Sequence, residues 1–231
     1  FHFLAEVGNR DFQITVINRL FGGALGAEDG DNLRRIFAYG VRNSFGMTFD
    51  PNKGDLWTTE NSGRAFDEIN RIVRGHNGGW VQSMGPLSRI ADFKAIEVSV
   101  GVGLNGPNGL QQLRFPAESI QDDFNRARQQ MVDLPGSHLR DPEFSWKYVV
   151  PPAGLGFVNG SGLGAQYDGD LIVGSAVARP ANAGHLYRFR LNGGRTSLVF
   201  DDPRLQDKVA DNTATDDLTE SDEILWGLNF G

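Results

Sequence analysis

The chain of 231 residues has no cysteine, which excludes disulfides and thiolate chemistry and leaves its redox compartment open. Its four histidines, His2, His76, His138 and His185, stand apart from one another. None forms the H-x-H or H-x-x-x-H spacing of a zinc site. No apolar run approaches the roughly 18 residues that a membrane-spanning helix needs. Positive charge is in the minority, and a formal net charge of −7 disfavours general binding to nucleic acid or to an anionic membrane. An anionic ligand would need a local arginine site. There is no G-x-S-x-G nucleophile elbow. The acidic run Asp216 to Glu223 lacks EF-hand spacing and reads as a solvated loop. Gly101, Gly103 and Gly106 satisfy G-x-G-x-x-G, but Pro107, Asn108 and Gly109 follow where a helix should open. A flexible loop is the expectation there, not a dinucleotide site.

What the chain does have is glycine (30 residues) and phenylalanine (16), many turns with large side chains to fill the space between sheets. That composition suits an all-β architecture. The stretch Tyr39 to Trp80 is the densest in signals. Phe45, Met47 and Phe49 alternate and predict a half-buried strand. Asp50 to Gly54 is turn chemistry. Leu56 to Thr59 resumes a strand, Glu60 to Asp67 reads as a polar loop, and Glu68 to Val73 as a further strand. Arg35 to Tyr39 and Gln13 to Ile17 are also strand-like. Beyond Trp80 the pattern predicts a helix over 88–97, with Ser88 as cap and Ile90, Ala91 and Phe93 inward. A second helix is expected over 118–134, from Ile120, Phe124, Ala127, Met131 and Leu134. Residues 81–142 thus form a helical insertion between strands.

Strands return at Glu143 to Trp146, Gly154 to Val158, Asp170 to Gly174, His185 to Leu191 and Thr196 to Phe200. Asn192-Gly193-Gly194 joins the last two as a hairpin. Four consecutive antiparallel strands over about 50 residues is the size of one propeller blade. Three or four such units fit the length, whereas propellers close with four to eight. The expectation is therefore a partial chain of a longer protein, with early blades and final strands outside it.

Arg42-Asn43 sits just before one predicted strand and Asn61-Ser62-Gly63 just after the next. Antiparallel pairing places both groups at one sheet end, with Asp67 nearby. A guanidinium beside carboxamides suits a ligand carrying carboxylates and carbonyls. A loop turning at Ser62-Gly63 can aim main-chain carbonyls at a hard cation such as Ca²⁺. The competing reading is structural: Arg42 and Asp67 as an ion pair, with Asn43 capping a turn.

The same stretch resembles the soluble PQQ-dependent glucose/sorbosone (aldose sugar) dehydrogenase family. The match runs through Tyr39-Gly40, Arg42-Asn43, Gly46, Phe49, Pro51, Thr59-Glu60, Asp67 to Asn70, Gly75, Asn77 and Gly79-Trp80. Weaker likeness covers Asp141 to Trp146, Gly169 to Gly174 and Gly184 to Leu191. The resemblance implies a six-bladed β-propeller, of which residues 1–231 would be part. It implies C1 oxidation of an aldose by hydride transfer to PQQ, an external electron acceptor, and a periplasmic or extracellular location. By position it places Arg42, Asn43, Asn61 and Asp67 in the cofactor pocket, with Arg179 where the family has a lysine. Ser62 and Gly63 would offer carbonyls to Ca²⁺, and Glu68 would ligate a second, structural Ca²⁺. The general-base histidine is expected in an earlier blade, since nothing in residues 1–38 fits it. The alternative is a non-catalytic binding module of the same ancestry.

Overall fold

The computed structural model describes residues 35–99, 117–134, 136–176, 184–214 and 221–230. After the short β1 (Ala38–Tyr39), the chain runs through β2 (Ser44–Phe49), β3 (Leu56–Glu60), β4 (Ala65–Ile72) and β5 (His76–Asn77). The insertion carries α1 (Ile90–Ser99) and α2 (Phe124–Gln130). There follow β6 (His138–Leu139), β7 (Phe144–Tyr148), β8 (Pro152–Phe157), β9 (Leu171–Ser175) and β10 (Gly184–Leu191). Last come β11 (Leu198–Val199), β12 (Val209–Ala210) and β13 (Leu225–Phe230).

Two sheets result. The first has the order β12-β7-β4-β3-β2, with β2, β3, β4 and β7 antiparallel and β12 parallel to β7. The second runs β11-β10-β9-β8, all antiparallel, with β13 also on β10. The core of each is built from consecutive strands, β2-β3-β4 and β8-β9-β10-β11, as the strand spacing predicted; β7 joins the first sheet only after the insertion, and β12 and β13 return to β7 and β10. A small parallel sheet, β1-β5-β6, ties the insertion's end to the entry strand. Neither large sheet closes on itself among the described residues.

The main core lies between the two sheets. Trp57, Ile69, Phe144 and Trp146 meet Leu171, Val173, Tyr187 and Phe189, all fully or almost fully buried. Burying each such side chain stabilises by about 1.5–3 kcal/mol. Phe144 packs edge-on against Trp146 at 5.0 Å between ring centroids. Contact between the sheets needs glycine at 46: a Cβ there would stand 2.1 Å from the Ala153 carbonyl oxygen. The insertion builds a second core on the other side, where Phe66 and Ala65 meet Met84, Phe93, Ile96 and Ile120.

Several expectations need correction. Phe45, Met47 and Phe49 lie on one face of β2 as their alternation requires, but they are 69%, 50% and 64% exposed. The face that β2 turns inward carries Gly46, which touches β8. The polar loop is shorter than predicted, because β4 starts at Ala65 and buries Phe66 despite its φ of 62°. In α1 the inward residues are Ile90, Phe93, Ile96 and Glu97, whereas Ala91 is exposed and Ser88 lies within a preceding 3₁₀ turn. The second helix contracts to Phe124–Gln130. Asp123 caps it by accepting the Arg126 N–H, and Met131 leaves at an extended ψ of 144°, so the longer apolar periodicity is cut at both ends. Gln13 to Ile17, Gly101 to Gly106 and most of the acidic run lie outside the described residues.

Candidate functional site

The β2–β3 hairpin fixes the site. Asp50 and Gly54 close its turn: the Gly54 N–H donates to Asp50 O, the Asp50 N–H to Asp55 O, both at 2.8 Å. Gly54 adopts the positive φ of 78° that the turn requires. At the hairpin's open end the Asn61 N–H donates to Asn43 O at 3.0 Å. The Arg42 guanidinium donates to Asn61 O, and its Cζ lies 5.4 Å from the centre of the Trp80 ring. The Arg42 N–H meets Glu60 Oε1 at 2.9 Å.

Asp67 sits under this end, on the face of β4 that looks toward the second sheet. Its two carboxylate oxygens accept the Ser62 and Val150 N–H groups, each at 2.7 Å. Asn61 reaches the second sheet, its Nδ2 donating to Pro152 O at 2.9 Å. Its Oδ1 is buried with no hydrogen-bond partner among the described residues. The structure thus brings Arg42, Asn43, Asn61, Ser62, Gly63 and Asp67 together. Glu68 is placed elsewhere. Successive strand residues point to opposite faces, so Glu68 turns away from Asp67, toward the insertion. There it accepts the Gly85 N–H and, at 2.8 Å, the Asn70 side chain. It also faces Glu60 across β3 and β4. Arg179 lies outside the described residues.

Glu97 joins the cluster without any sequence signal. From α1 its Oε1 accepts the Arg64 N–H at 2.6 Å and the Ala65 N–H at 3.1 Å. The Ser62 hydroxyl adds a long contact at 3.5 Å. A buried glutamate held chiefly by main-chain N–H groups has no side-chain pattern to betray it. Glu60 belongs to the Thr59-Glu60 match, but in a stretch that reads as a polar loop its burial has no signal.

Burial dominates the electrostatics. It pushes the Asp67 carboxyl up to about 7, against the pull of its two N–H donors and of Arg42. Burial also lifts Glu97, while the Arg64 and Ala65 N–H groups oppose the rise. Glu60 is raised well above its ordinary value by burial and by the Glu68 charge, and burial takes Glu68 to about 7. Arg42 is lowered by burial, with the Glu97, Asp67 and Glu60 carboxyls acting the other way. Three carboxyl groups, Glu97, Asp67 and Glu60, therefore surround one guanidinium.

A cavity of about 370 Å³ opens beside Arg42 and Asn43, walled by Ala38, Val41, Phe45, Met47, Thr58 and Ile72. Its mixture of apolar wall and a cation with a carboxamide at one end is that of a small-molecule pocket. No group of three or more His, Asp or Glu side chains is arranged to hold a metal among the described residues. A cation here would depend on main-chain oxygens. His76, His138 and His185 do not line the cavity.

Residues 24–86, which contain every gathered residue except Glu97, match the model of the Glucose / Sorbosone dehydrogenase family. An uncharacterized protein of Synechocystis sp. is 42% identical over 144 residues, which is 62% of this chain and 26% of that protein. An aldose sugar dehydrogenase of Escherichia coli is 44% identical over 45 residues, 20% of this chain and 12% of that one. Among solved structures, the soluble aldose sugar dehydrogenase of Escherichia coli in its apo-form covers 73% of this chain at 22% identity. That alignment takes in 36% of the other chain, with a TM-score of 0.45. The chain spans about a quarter or less of the length of these two sequence relatives. Across residues 24–86, then, the chain is similar to the glucose/sorbosone dehydrogenase family.

Proposed function

We propose that this chain is part of a sugar dehydrogenase that uses PQQ and Ca²⁺ to oxidise an aldose at C1. The carrying observation is the convergence of Arg42, Asn43 and Asn61 at one hairpin end, beside a cavity large enough for a small ligand. The residues fit such a cofactor. Arg42 offers a guanidinium for a ligand carboxylate, and Asn43 adds a carboxamide at the cavity wall. Asn61 contributes a buried Oδ1 in need of a donor. Asp67 keeps the loop after β3 in place through Ser62 and braces it against the β7–β8 connection through Val150. Ser62 and Gly63 would hold Ca²⁺ through main-chain oxygens. Glu68 would serve a separate structural Ca²⁺ on the opposite face, and Arg179 would complete the cofactor pocket. When bound, PQQ supplies the hydride acceptor and Ca²⁺ the Lewis acid that polarises it.

On this reading the two antiparallel sheets are blades of a six-bladed β-propeller. Residues 81–142 are an insertion between the third and fourth strands of one blade. The proton acceptor for the sugar hydroxyl comes from another blade, electrons leave to an external acceptor, and the protein works in the periplasm or outside the cell. Reconstitution of the intact protein with PQQ and Ca²⁺, followed by dye reduction with glucose and other aldoses, tests it. Sugar-dependent reduction is expected. Its absence with every aldose, while PQQ still binds, would leave the non-catalytic binding module.

A further inference from the structure

Glu97 lies beyond the segment that matches the family model, yet it grips the loop that follows β3. In a planar trans peptide the carbonyl points opposite to the N–H. Holding the Arg64 N–H at 2.6 Å therefore turns the Gly63 carbonyl away from the carboxylate. Holding the Ala65 N–H turns the Arg64 carbonyl away in the same manner. The Arg64 carbonyl is then taken by the Val149 N–H at 3.3 Å, and the Asn61 carbonyl by Arg42. The Gly63 carbonyl carries no hydrogen bond among the described residues. Position 63 is also sterically closed, since a Cβ there would come 2.7 Å from Glu97 Oε2.

We propose that Glu97 is a positioning residue for a bound cation, fixing the loop so that the Gly63 carbonyl faces outward as a ligand. This rests on the reading that the 62–63 turn binds Ca²⁺ through main-chain oxygens. The role requires a hydrogen-bond acceptor at 97 and not a negative charge. A carboxylate close to a cation also attracts it through space, so the two effects must be separated. Glutamine does so, because it keeps one acceptor oxygen for the two N–H groups and loses the charge.

The test uses the intact protein without PQQ. Calorimetric titration with Ca²⁺ alone is combined with amide hydrogen exchange at Arg64 and Ala65 in metal-free protein. Glu97→Ala is expected to weaken Ca²⁺ binding by at least about tenfold, the scale of losing a group that orients a ligand. It also strips protection from the two amides while Trp57 and Ile69 keep theirs. Glu97→Gln restores most of both. Gly63→Ala, which drives a methyl group into the carboxylate, reproduces the loss by an independent route. Unchanged affinity in Glu97→Ala would overturn the proposal, and so would Glu97→Gln binding as weakly as Glu97→Ala, which assigns the effect to charge. If the wild-type protein takes up no Ca²⁺, the calcium reading itself fails. Loss of amide protection in Glu97→Ala would then show a loop clamp with no cation to serve.

Discussion

His76 lies in β5, paired with Ala38 of β1, 1% exposed, with neither ring nitrogen hydrogen-bonded among the described residues. Burial lowers its pKa to about 4, and the charge of Arg140 adds to the shift. The unfolded chain, with a value near 6.5, binds the proton more readily than the folded one. Stability contributed by neutral His76 is thus full above about pH 6.5 and is lost as pH falls toward 4. At pH 5 the loss relative to pH 8 is about 2 kcal/mol, and the ceiling is about 3.4 kcal/mol. Replacing His76 with leucine removes two buried unsatisfied nitrogens at similar volume, so at pH 8 the variant should match or exceed the wild type. Urea unfolding from pH 8 to pH 4.5, read as the difference between His76→Leu and wild type, cancels most other titrations. The variant should gain about 2 kcal/mol on the wild type at pH 5. A difference that stays constant with pH would mean that His76 protonates in the folded state without penalty, and the burial argument would fail.

Other consequences are equally direct. Arg42→Ala should weaken PQQ binding by about 1.5–3 kcal/mol, the scale of a charged hydrogen bond, and unchanged affinity in a fluorescence titration would make Arg42 structural. Gly46→Ala should destabilise by about 3 kcal/mol or more, because its Cβ meets the rigid Ala153 carbonyl at 2.1 Å; a denaturation midpoint within error of wild type would refute the close contact. Asp67→Asn should cost about 2–4 kcal/mol even without cofactor, since one of two N–H donors at 2.7 Å then faces an NH₂ group; urea unfolding of the metal-free protein measures it.

The site's assembly was legible because a hairpin leaves little freedom. Once Phe45–Phe49 and Leu56–Thr59 are antiparallel neighbours, Arg42-Asn43 and Asn61 must share an end, and the Asn61 N–H to Asn43 O bond is that constraint realised. What covers a face is not written in the strand's own alternation. Phe45, Met47 and Phe49 predict a common face correctly but say nothing about its neighbour, and that face is exposed. Periodicity also overran the second helix, because Ile120 and Met131 keep the phase while Asp123 and the extended Met131 set the ends. Glu97 was invisible for a different reason. Its closest partners are peptide N–H groups 32 and 33 residues away in sequence, which any residue type supplies, and the Ser62 hydroxyl at 3.5 Å adds only a long contact.

The two faces of β4 lead to a final expectation, opposite in sign to that for His76. Glu60 and Glu68 are both buried and face each other, so their protons belong to the pair. With Glu68 raised to about 7, the folded protein holds a proton that the unfolded chain releases near 4.5. Stability is then fully present below about pH 4.5 and declines as pH rises through 7, by at most about 3 kcal/mol for Glu68 alone. Asp67, raised to about 7 by burial, acts in the same direction. Between pH 5 and 6.5 His76 gains stability with rising pH while Asp67 and Glu68 both lose it, so the two carboxyls outweigh the one imidazole and the wild type loses stability as pH rises. Single variants expose the separate contributions. Glu68→Gln, which keeps an acceptor for the Gly85 N–H, should tilt the profile toward greater stability at pH 8, and His76→Leu toward greater stability at pH 5. Parallel profiles for Glu68→Gln and wild type across pH 5 to 8 would mean that the pair is already ionised in the fold. Hydrogen bonds from Asn70, Gly85 and Arg42 would then outweigh burial on that face of the strand.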